Sequence, residues 1–171
     1  VLKVMDDRRE RINSAKEKKE TIEKLIQENE EQLEKRQQLI EAGDYTDTMF
    51  DYAKQFSSVD EIVIAAPFWD LSFPACLKIY LEHIAVCGIT FRYNKGIPES
   101  LCTAKKLIYV TTSGGKIYDS SFGYGYVKAL AQNFYGIADC ILLKCEGLDI
   151  KGADAELLLN EAKKQIDGGK I

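Results

Sequence analysis

The pattern of hydrophobic and polar positions divides the chain into two stretches of different character. Residues 6–41 are charged and helix-favouring, and their apolar side chains recur at spacings of three and four. That periodicity predicts one long helix, with Gly43 directly after its end. Polar interruptions in the apolar stripe are typical of an amphipathic helix lying on a domain, and a short coiled coil or partner helix is the sharper alternative. Residues 1–5 form a short apolar piece that is compatible with a strand.

After residue 46 the pattern alternates between helical and extended segments. Helices are predicted over residues 47–56, from Pro74 to Gly88, over 126–134 and over 154–166; strands are predicted over 61–66, 106–112 and 140–145. The run 61–66 is apolar enough for a strand buried on both faces, and 88–96 reads as a loop or extended segment. This alternation predicts an α/β fold with a parallel sheet between helices. We therefore expect a charged helical segment at residues 1–46 and an α/β domain at 47–171.

Composition narrows the class of protein. Of the 171 residues, 46% are hydrophobic and 29% charged, which suits a globular protein, and the net charge of −4 argues against a nucleic-acid binder. No apolar run is long enough for a membrane span, and the first residues lack a signal-peptide core. The five cysteines include no CxxC pair and there is a single histidine, so we expect no metal site, free thiols and a cytoplasmic location.

Ligands of parallel sheets bind beyond the carboxyl ends of the strands, so the loops at those ends hold the candidate site. The first such loop places Phe68, Trp69 and Phe73 between Pro67 and Pro74. Three aromatic side chains in a stiff loop are able to wall a flat ligand, although such a loop can also simply pack. Trp69 is the residue that we assign most readily to a ligand.

The second candidate loop follows the next strand and contains Thr112, Ser113, Gly114 and Gly115. Glycines let backbone N–H groups approach a ligand closely, and the two hydroxyls offer further hydrogen bonds. A Ser-Gly-Gly triplet can also be no more than a turn. The two loops together are more specific than either one alone.

Several segments in order resemble one family. Residues 65–80 (AAPFWDLSFPACLKIY), 88–93 (GITFRY), the Thr112–Gly115 loop, 134–137 (FYGI) and 146–147 (EG) resemble the FMN-dependent azoreductase / NAD(P)H:quinone reductase family of the flavodoxin-like fold. The resemblance covers about residues 47–166. It implies a five-stranded parallel sheet that binds FMN at its carboxyl edge.

The resemblance also implies the residues of the site and the reaction. The cofactor-binding positions of the family match Pro67, Phe68, Trp69, Asp70, Leu71, Thr112, Ser113, Gly114 and Gly115. Tyr93 and Phe134 match aromatic residues that line the substrate side, usually across the interface of a homodimer. The implied reaction has two steps: NADH or NADPH passes hydride to the flavin, and a quinone, azo compound or similar acceptor then takes the electrons. The flavin carries this chemistry, so no catalytic acid or base is named.

The sequence departs from the family pattern at three places. Asp70 replaces an asparagine and Ser113 an arginine, and both changes predict a lower flavin potential. The phosphate-binding unit of the family, a strand followed by a Ser/Arg-rich loop, has only a poor match in residues 1–5 followed by Arg8, Arg9, Arg11, Asn13 and Ser14. Either that unit is missing or an unrelated helix replaces it. A non-enzymatic binding or assembly module that uses the N-terminal helix is therefore the alternative function.

Overall fold

The computed structural model describes the backbone of residues 2–168 and the side chains of residues 10–166 and 168. The chain forms two compact units, Val1–Tyr45 and Thr46–Ile171. Each unit is described by itself.

The first unit is one helix, α1, at Leu2–Ala42. Its sequence is rich in Glu, Lys and Gln and has neither proline nor glycine before residue 43, so nothing interrupts it. Gly43 ends the helix with φ +67°, and the N–H groups of Gly43 and Asp44 donate to the carbonyls of Ile40 (3.1 Å) and Leu39 (2.9 Å), as in a Schellman motif. The strand predicted over residues 1–5 is wrong for residues 2–5, which are helical; residue 1 lies outside the described residues.

The second unit alternates helices and strands, as predicted. A 3-10 turn at Thr48–Phe50 leads into α2, and the Asp47 carboxylate caps the turn by accepting a hydrogen bond from the Met49 N–H. The further elements are α2 Asp51–Ser58, β1 Glu61–Ala65, α3 Ala75–Ile84, β2 Phe91–Asn94, β3 Ile97–Ser100, β4 Lys106–Ser113, a π-type turn at Ser121–Gly125, α4 Tyr126–Asn133, β5 Asp139–Glu146 and α5 Ala155–Asp167.

The main sheet has the strand order β1-β4-β5 and is parallel throughout. Its core lies on the face that carries Ile62, Ile64, Leu107 and Tyr109, against residues of α2, α3 and α4. Helix α5 packs on the other face, where Val110 and Leu143 point, and the predicted layers of helices on both faces are thus confirmed. The described residues form three parallel strands of the five that the resemblance implies.

Strand β1 differs from the expectation of a strand buried on both faces. Ile62 and Ile64 are buried, whereas Val63 between them is 63% exposed. Within the described residues β1 pairs only with β4, so it is an edge strand with one buried face. An unbroken apolar run does not distinguish this arrangement from a central strand.

The segment after α3 is an antiparallel hairpin that the sequence did not reveal. Helix α3 ends at Ile84, before Gly88, and β2 then pairs with β3 around a two-residue turn in which Lys95 and Gly96 have positive φ. The Ser100 hydroxyl of β3 donates to the Tyr135 carbonyl at 2.6 Å. Because α3 and α4 each return the chain to the start of the next strand, the hairpin and the end of α4 lie at the amino end of the sheet.

Candidate functional site

The two candidate loops lie side by side at the carboxyl end of the sheet. The Phe68 N–H donates to the Thr112 carbonyl at 2.9 Å, which continues the pairing of β1 with β4 beyond the last strand residue. The Ala66 N–H makes the preceding hydrogen bond, to the Val110 carbonyl at 3.0 Å. The sheet therefore brings together the two loops that hold the predicted cofactor-binding residues.

The aromatic loop ends in a tight turn with an unusual backbone. Trp69 and Ser72 exchange two backbone hydrogen bonds, of 3.0 and 2.7 Å, around Asp70 and Leu71. Asp70 has φ +47° and Leu71 φ +68°, the pattern of a type I′ turn. A leucine in this left-handed region costs roughly 1–2 kcal/mol. Because backbone strain concentrates at functional sites, the turn itself supports a ligand site here.

The same turn exposes apolar side chains at the edge of the sheet. Trp69 is 61% exposed and Leu71 58% exposed. The turn is anchored from behind by the Ser72 hydroxyl, which donates to the Phe122 carbonyl at 2.7 Å. An indole and a leucine held outward on a fixed turn form an apolar wall for a flat ligand.

The second loop, Ser113–Gly115, is held through its carbonyl groups. The carbonyls of Ser113, Gly114 and Gly115 accept hydrogen bonds of 3.1, 2.9 and 3.1 Å from the N–H groups of residues 148, 149 and 147. The Ser113 hydroxyl donates to the Gly115 carbonyl at 2.7 Å, so it shapes the loop instead of reaching outward. Within the described chain, the N–H groups of Gly114 and Gly115 donate to no acceptor. These two donors are the ones that the loop offers to a ligand.

The two glycines of this loop have different surroundings. A Cβ at Gly114 would lie 3.0 Å from the Asp149 Cβ, whereas a Cβ at Gly115 would meet nothing within 4 Å. Gly114 is therefore needed for packing, and Gly115 leaves open space. Asp149 lies in the loop after Glu146, a third loop at this end of the sheet. Sequence reasoning did not single out Asp149, because its contact with Gly114 arises only from the fold.

Glu146 joins this third loop to the segment that follows Gly115. Its Oε1 accepts from the Ile117 N–H at 2.8 Å, and its Oε2 lies 3.1 Å from the Lys144 ammonium. Burial opposes ionisation of this carboxyl, but the Ile117 hydrogen bond and the Lys144 charge outweigh it and lower the pKa of Glu146. The carboxylate is thus ionised at neutral pH and holds the segment in place.

Tyr93 and Phe134 do not lie with the two loops of the same chain. Both rings contact Phe91, with centroid distances of 5.5 and 5.1 Å, and form one aromatic cluster at the amino end of the sheet. The eight residues of β4 separate that end from the candidate loops by about 23 Å, at roughly 3.3 Å per residue. The structure thus groups these two residues with each other, at the end opposite the predicted cofactor loops.

The described residues fit the ring of a flavin better than its phosphate. Trp69 and Leu71 offer an apolar surface, and the N–H groups of Gly114 and Gly115 offer donors to the polar edge of a ring. Arg11, Asn13 and Ser14, the weak phosphate-loop candidates, lie inside α1, where the helix uses the backbone N–H groups. The side chains of Arg8 and Arg9 lie outside the described residues.

Similarity to known proteins agrees with this geometry. Residues 10–168 match the family profile described as flavodoxin-like fold, across both units. The chain is 41% identical over 125 residues to an FMN-dependent NADH:quinone oxidoreductase 2 of Clostridium acetobutylicum, covering 70% of this chain and 62% of the relative. It is 39% identical over 120 residues to an FMN-dependent NADH:quinone oxidoreductase of Lachnoclostridium phytofermentans, covering 69% and 60%. The chain spans about three fifths of the length of these curated relatives.

Solved structures show the same fold. An FMN-dependent NADH-azoreductase from Bacillus anthracis, in complex with FMN, superposes with a TM-score of 0.63 at 27% identity, over 75% of this chain and 62% of that one. A second azoreductase structure from Bacillus anthracis gives a TM-score of 0.61 at 24% identity, over 68% of this chain and 58% of that one, which supports the fold alone. No helix among the described residues is long and apolar enough to cross a membrane. The predicted resemblance and fold are confirmed, and the chain belongs to the flavodoxin-like fold family.

Proposed function

We propose that this protein is an FMN-dependent NADH oxidoreductase that reduces quinones, azo compounds or similar acceptors. The observation that carries the proposal is the hydrogen bond from the Phe68 N–H to the Thr112 carbonyl, which sets an exposed aromatic turn beside an open glycine loop. The relatives are named FMN-dependent NADH:quinone oxidoreductase and FMN-dependent NADH-azoreductase, and these names support the proposed cofactor, donor and both acceptor classes.

In this proposal the chain binds and orients the cofactor. Trp69 and Leu71 cover one side of the flavin ring, and the N–H groups of Gly114 and Gly115 donate to its polar edge. Donors aimed at an edge where negative charge develops stabilise that charge. Bound FMN supplies the electron transfer between NADH and the acceptor, so the protein itself needs no acid or base at the reacting atoms.

The separation of the aromatic cluster from the loops supports a homodimer. Tyr93 and Phe134 lie at the amino end of the sheet, so in one chain they are remote from a ligand at the carboxyl end. We propose that a second copy, oriented in the opposite direction, contributes its Tyr93 and Phe134 to the substrate side of the site. Each dimer then holds two shared sites.

A flavin titration tests the proposed cofactor site. FMN added to the protein should show a saturable change in its visible spectrum. Under anaerobic conditions the loaded protein should oxidise about one NADH per flavin without acceptor, and should oxidise NADH continuously once a quinone or azo acceptor is added. Trp69→Ala should weaken FMN binding at least about fivefold, since aromatic stacking is worth roughly 1–3 kcal/mol. Tyr52→Ala is the matched control, because Tyr52 is 54% exposed and its ring contacts Tyr80 and His83, away from the loops. Equal FMN affinity in the two variants would contradict the assignment.

Subunit complementation tests the shared site. Trp69→Ala subunits and Tyr93→Ala/Phe134→Ala subunits should each be weakly active as homodimers. A mixed dimer should regain activity, because one of its two sites combines intact loops with an intact aromatic pair. Activity that does not rise on mixing, with mixed dimers demonstrated by mass spectrometry, would show that the aromatic pair acts within its own chain or not at all.

The exposed apolar side chains of α1 favour a second candidate function. Ile12, Ile22, Leu25, Ile26 and Leu33 are each about half exposed or more. We propose a boundary at residue 46 between this helix and the α/β domain, and a binding or assembly module is the function that remains if flavin binding fails. Failure of the chain to bind FMN when it is extended to the length of its relatives would favour that module.

A further inference from the structure

A partly enclosed cavity lies beside the aromatic loop, on the sheet face where α4 packs. Its volume is about 240 Å³. Tyr109 and Thr111 of β4 and Lys144 of β5 line it from the sheet, Phe68 lines one side, and residues of the segment 117–124 cover it. We call it the Thr111 cavity. It is formed by the face of the strands, whereas the proposed flavin site lies beyond their ends.

Thr111 places a buried hydroxyl that has no hydrogen-bond partner among the described residues at the lining of this cavity. The residue is 5% exposed, and its hydroxyl is buried without a hydrogen-bond partner among the described residues. A buried hydroxyl left unpaired costs roughly 1–3 kcal/mol, and native proteins keep few such groups.

Lys144 brings a positively charged side chain to the lining of the same cavity. Thr111 and Lys144 are direct partners in the β4–β5 register, so their side chains share one face of the sheet. The Lys144 ammonium contacts Glu146 at 3.1 Å, and an ammonium carries three N–H donors, of which this contact uses one. The Glu146 carboxylate therefore accepts from two donors, the Ile117 N–H and the Lys144 ammonium.

The cover of the cavity is fixed in advance. The Ile117 N–H is bound to Glu146 at 2.8 Å, and the Tyr124 hydroxyl donates to the Cys140 carbonyl at 2.7 Å. Between them, the Phe122 carbonyl accepts from the Ser72 hydroxyl at 2.7 Å. Three hydrogen bonds to different parts of the domain hold the segment in place over the cavity, as is typical of preformed ligand sites.

We propose that the Thr111 cavity binds a small single-ring aromatic carboxylate. The ring would lie against Tyr109 and Tyr124, whose own ring centroids are 5.9 Å apart, and the carboxylate would accept hydrogen bonds from Lys144 and Thr111. The volume suits one ring, since a cavity of about 150 Å³ holds benzene. This site goes beyond the proposed oxidoreductase function, because its occupancy requires no flavin.

Calorimetric titration of the full chain with benzoate, in the absence of FMN, tests the proposal. We expect saturable binding of one benzoate, and weaker binding of benzyl alcohol, which carries the same ring and is close in size but has no charge. Lys144→Met should weaken benzoate binding at least about tenfold and leave benzyl alcohol unchanged. Lys151→Met is the matched control, since Lys151 is exposed and does not line the cavity, and it should change neither affinity.

Thr111→Val provides the second, independent measurement. It removes only the hydroxyl and keeps the shape of the side chain, so it should fold and should bind benzoate more weakly than the unaltered chain. The proposal is overturned if benzoate does not bind saturably, if Lys151→Met weakens binding as much as Lys144→Met, or if Thr111→Val binds benzoate with unchanged affinity. If Lys144→Met fails to fold, the Thr111→Val result decides.

Discussion

Replacement of Thr111 by valine should stabilise the protein, although it removes a polar group from the central strand. The hydroxyl is buried and unpaired, so its desolvation is not repaid in the folded state. Valine has nearly the same shape and needs no partner. From a penalty of roughly 1–3 kcal/mol for an unpaired buried group, we expect the free energy of unfolding to rise by about 1 kcal/mol.

Thr90 is the matched control for this substitution. It is completely buried, and its hydroxyl donates to the Ile84 carbonyl at 2.7 Å, contacts the Val86 carbonyl at 3.2 Å and accepts from the Val86 N–H at 3.2 Å. Thr90→Val leaves the Ile84 carbonyl and the Val86 N–H without this partner. We therefore expect it to lower the free energy of unfolding by about 2 kcal/mol.

Urea denaturation without ligand measures both changes. The two variants should shift the midpoint in opposite directions with the slope unchanged, and the melting temperatures should move by about 2–4 °C per kcal/mol. The reasoning is refuted if Thr111→Val destabilises the chain as much as Thr90→Val does. That result would mean that the Thr111 hydroxyl is bonded in solution, for example to water in the cavity.

Three further predictions concern the loops. Gly114→Ala should destabilise the chain by about 1–3 kcal/mol, because its Cβ would lie 3.0 Å from that of Asp149. Gly115→Ala should change thermal stability little, because its Cβ would meet nothing within 4 Å. Similar melting temperatures for the two variants would contradict this prediction. Glu146→Gln should be less stable than the unaltered chain at neutral pH. The folded pKa of Glu146 lies below its ordinary 4.5, so the stabilisation by this carboxylate is present above pH 4.5 and is lost as pH falls through the folded pKa. The difference in melting temperature between the variant and the unaltered chain should therefore shrink below about pH 4.5. A difference that stays constant would contradict this prediction. Asp70→Asn should raise the midpoint potential of bound FMN by about 20 mV in a redox titration, because removing a carboxylate charge near the ring is worth roughly 1 kcal/mol in a solvent-exposed site. An unchanged or lower potential would place the carboxylate away from the ring.

The alternation of elements could be predicted because it depends on local signals. Gly43 ends α1, and Asp154 caps α5 by accepting from the Leu157 N–H at 3.0 Å. Both are visible as residue types in the right position. The location of the two candidate loops at the same end of the sheet could also be predicted, because parallel strands present their carboxyl ends at one edge.

Other features depend on partners that a sequence pattern does not contain. Val63 is as apolar as its neighbours, and it is exposed because, in the described part of the chain, α5 packs over β4 and β5 on that face of the sheet and not over β1. The hairpin of β2 and β3 was missed because its turn residues, Lys95 and Gly96, carry a weaker signal than Asn-Gly. The role of the Ser113 hydroxyl, which donates within its own loop, could be seen only from the geometry.

The position of β1 at the edge of the described sheet has a practical consequence for handling the protein. Among the described residues β1 pairs on one side only, and an edge strand with an outward valine is a template onto which another extended chain can add. We expect self-association of this chain that grows with concentration and with exposure to partly unfolding conditions. A lysine at position 63, the device by which natural sheets keep their edges from joining, is a first choice for keeping the purified protein dispersed.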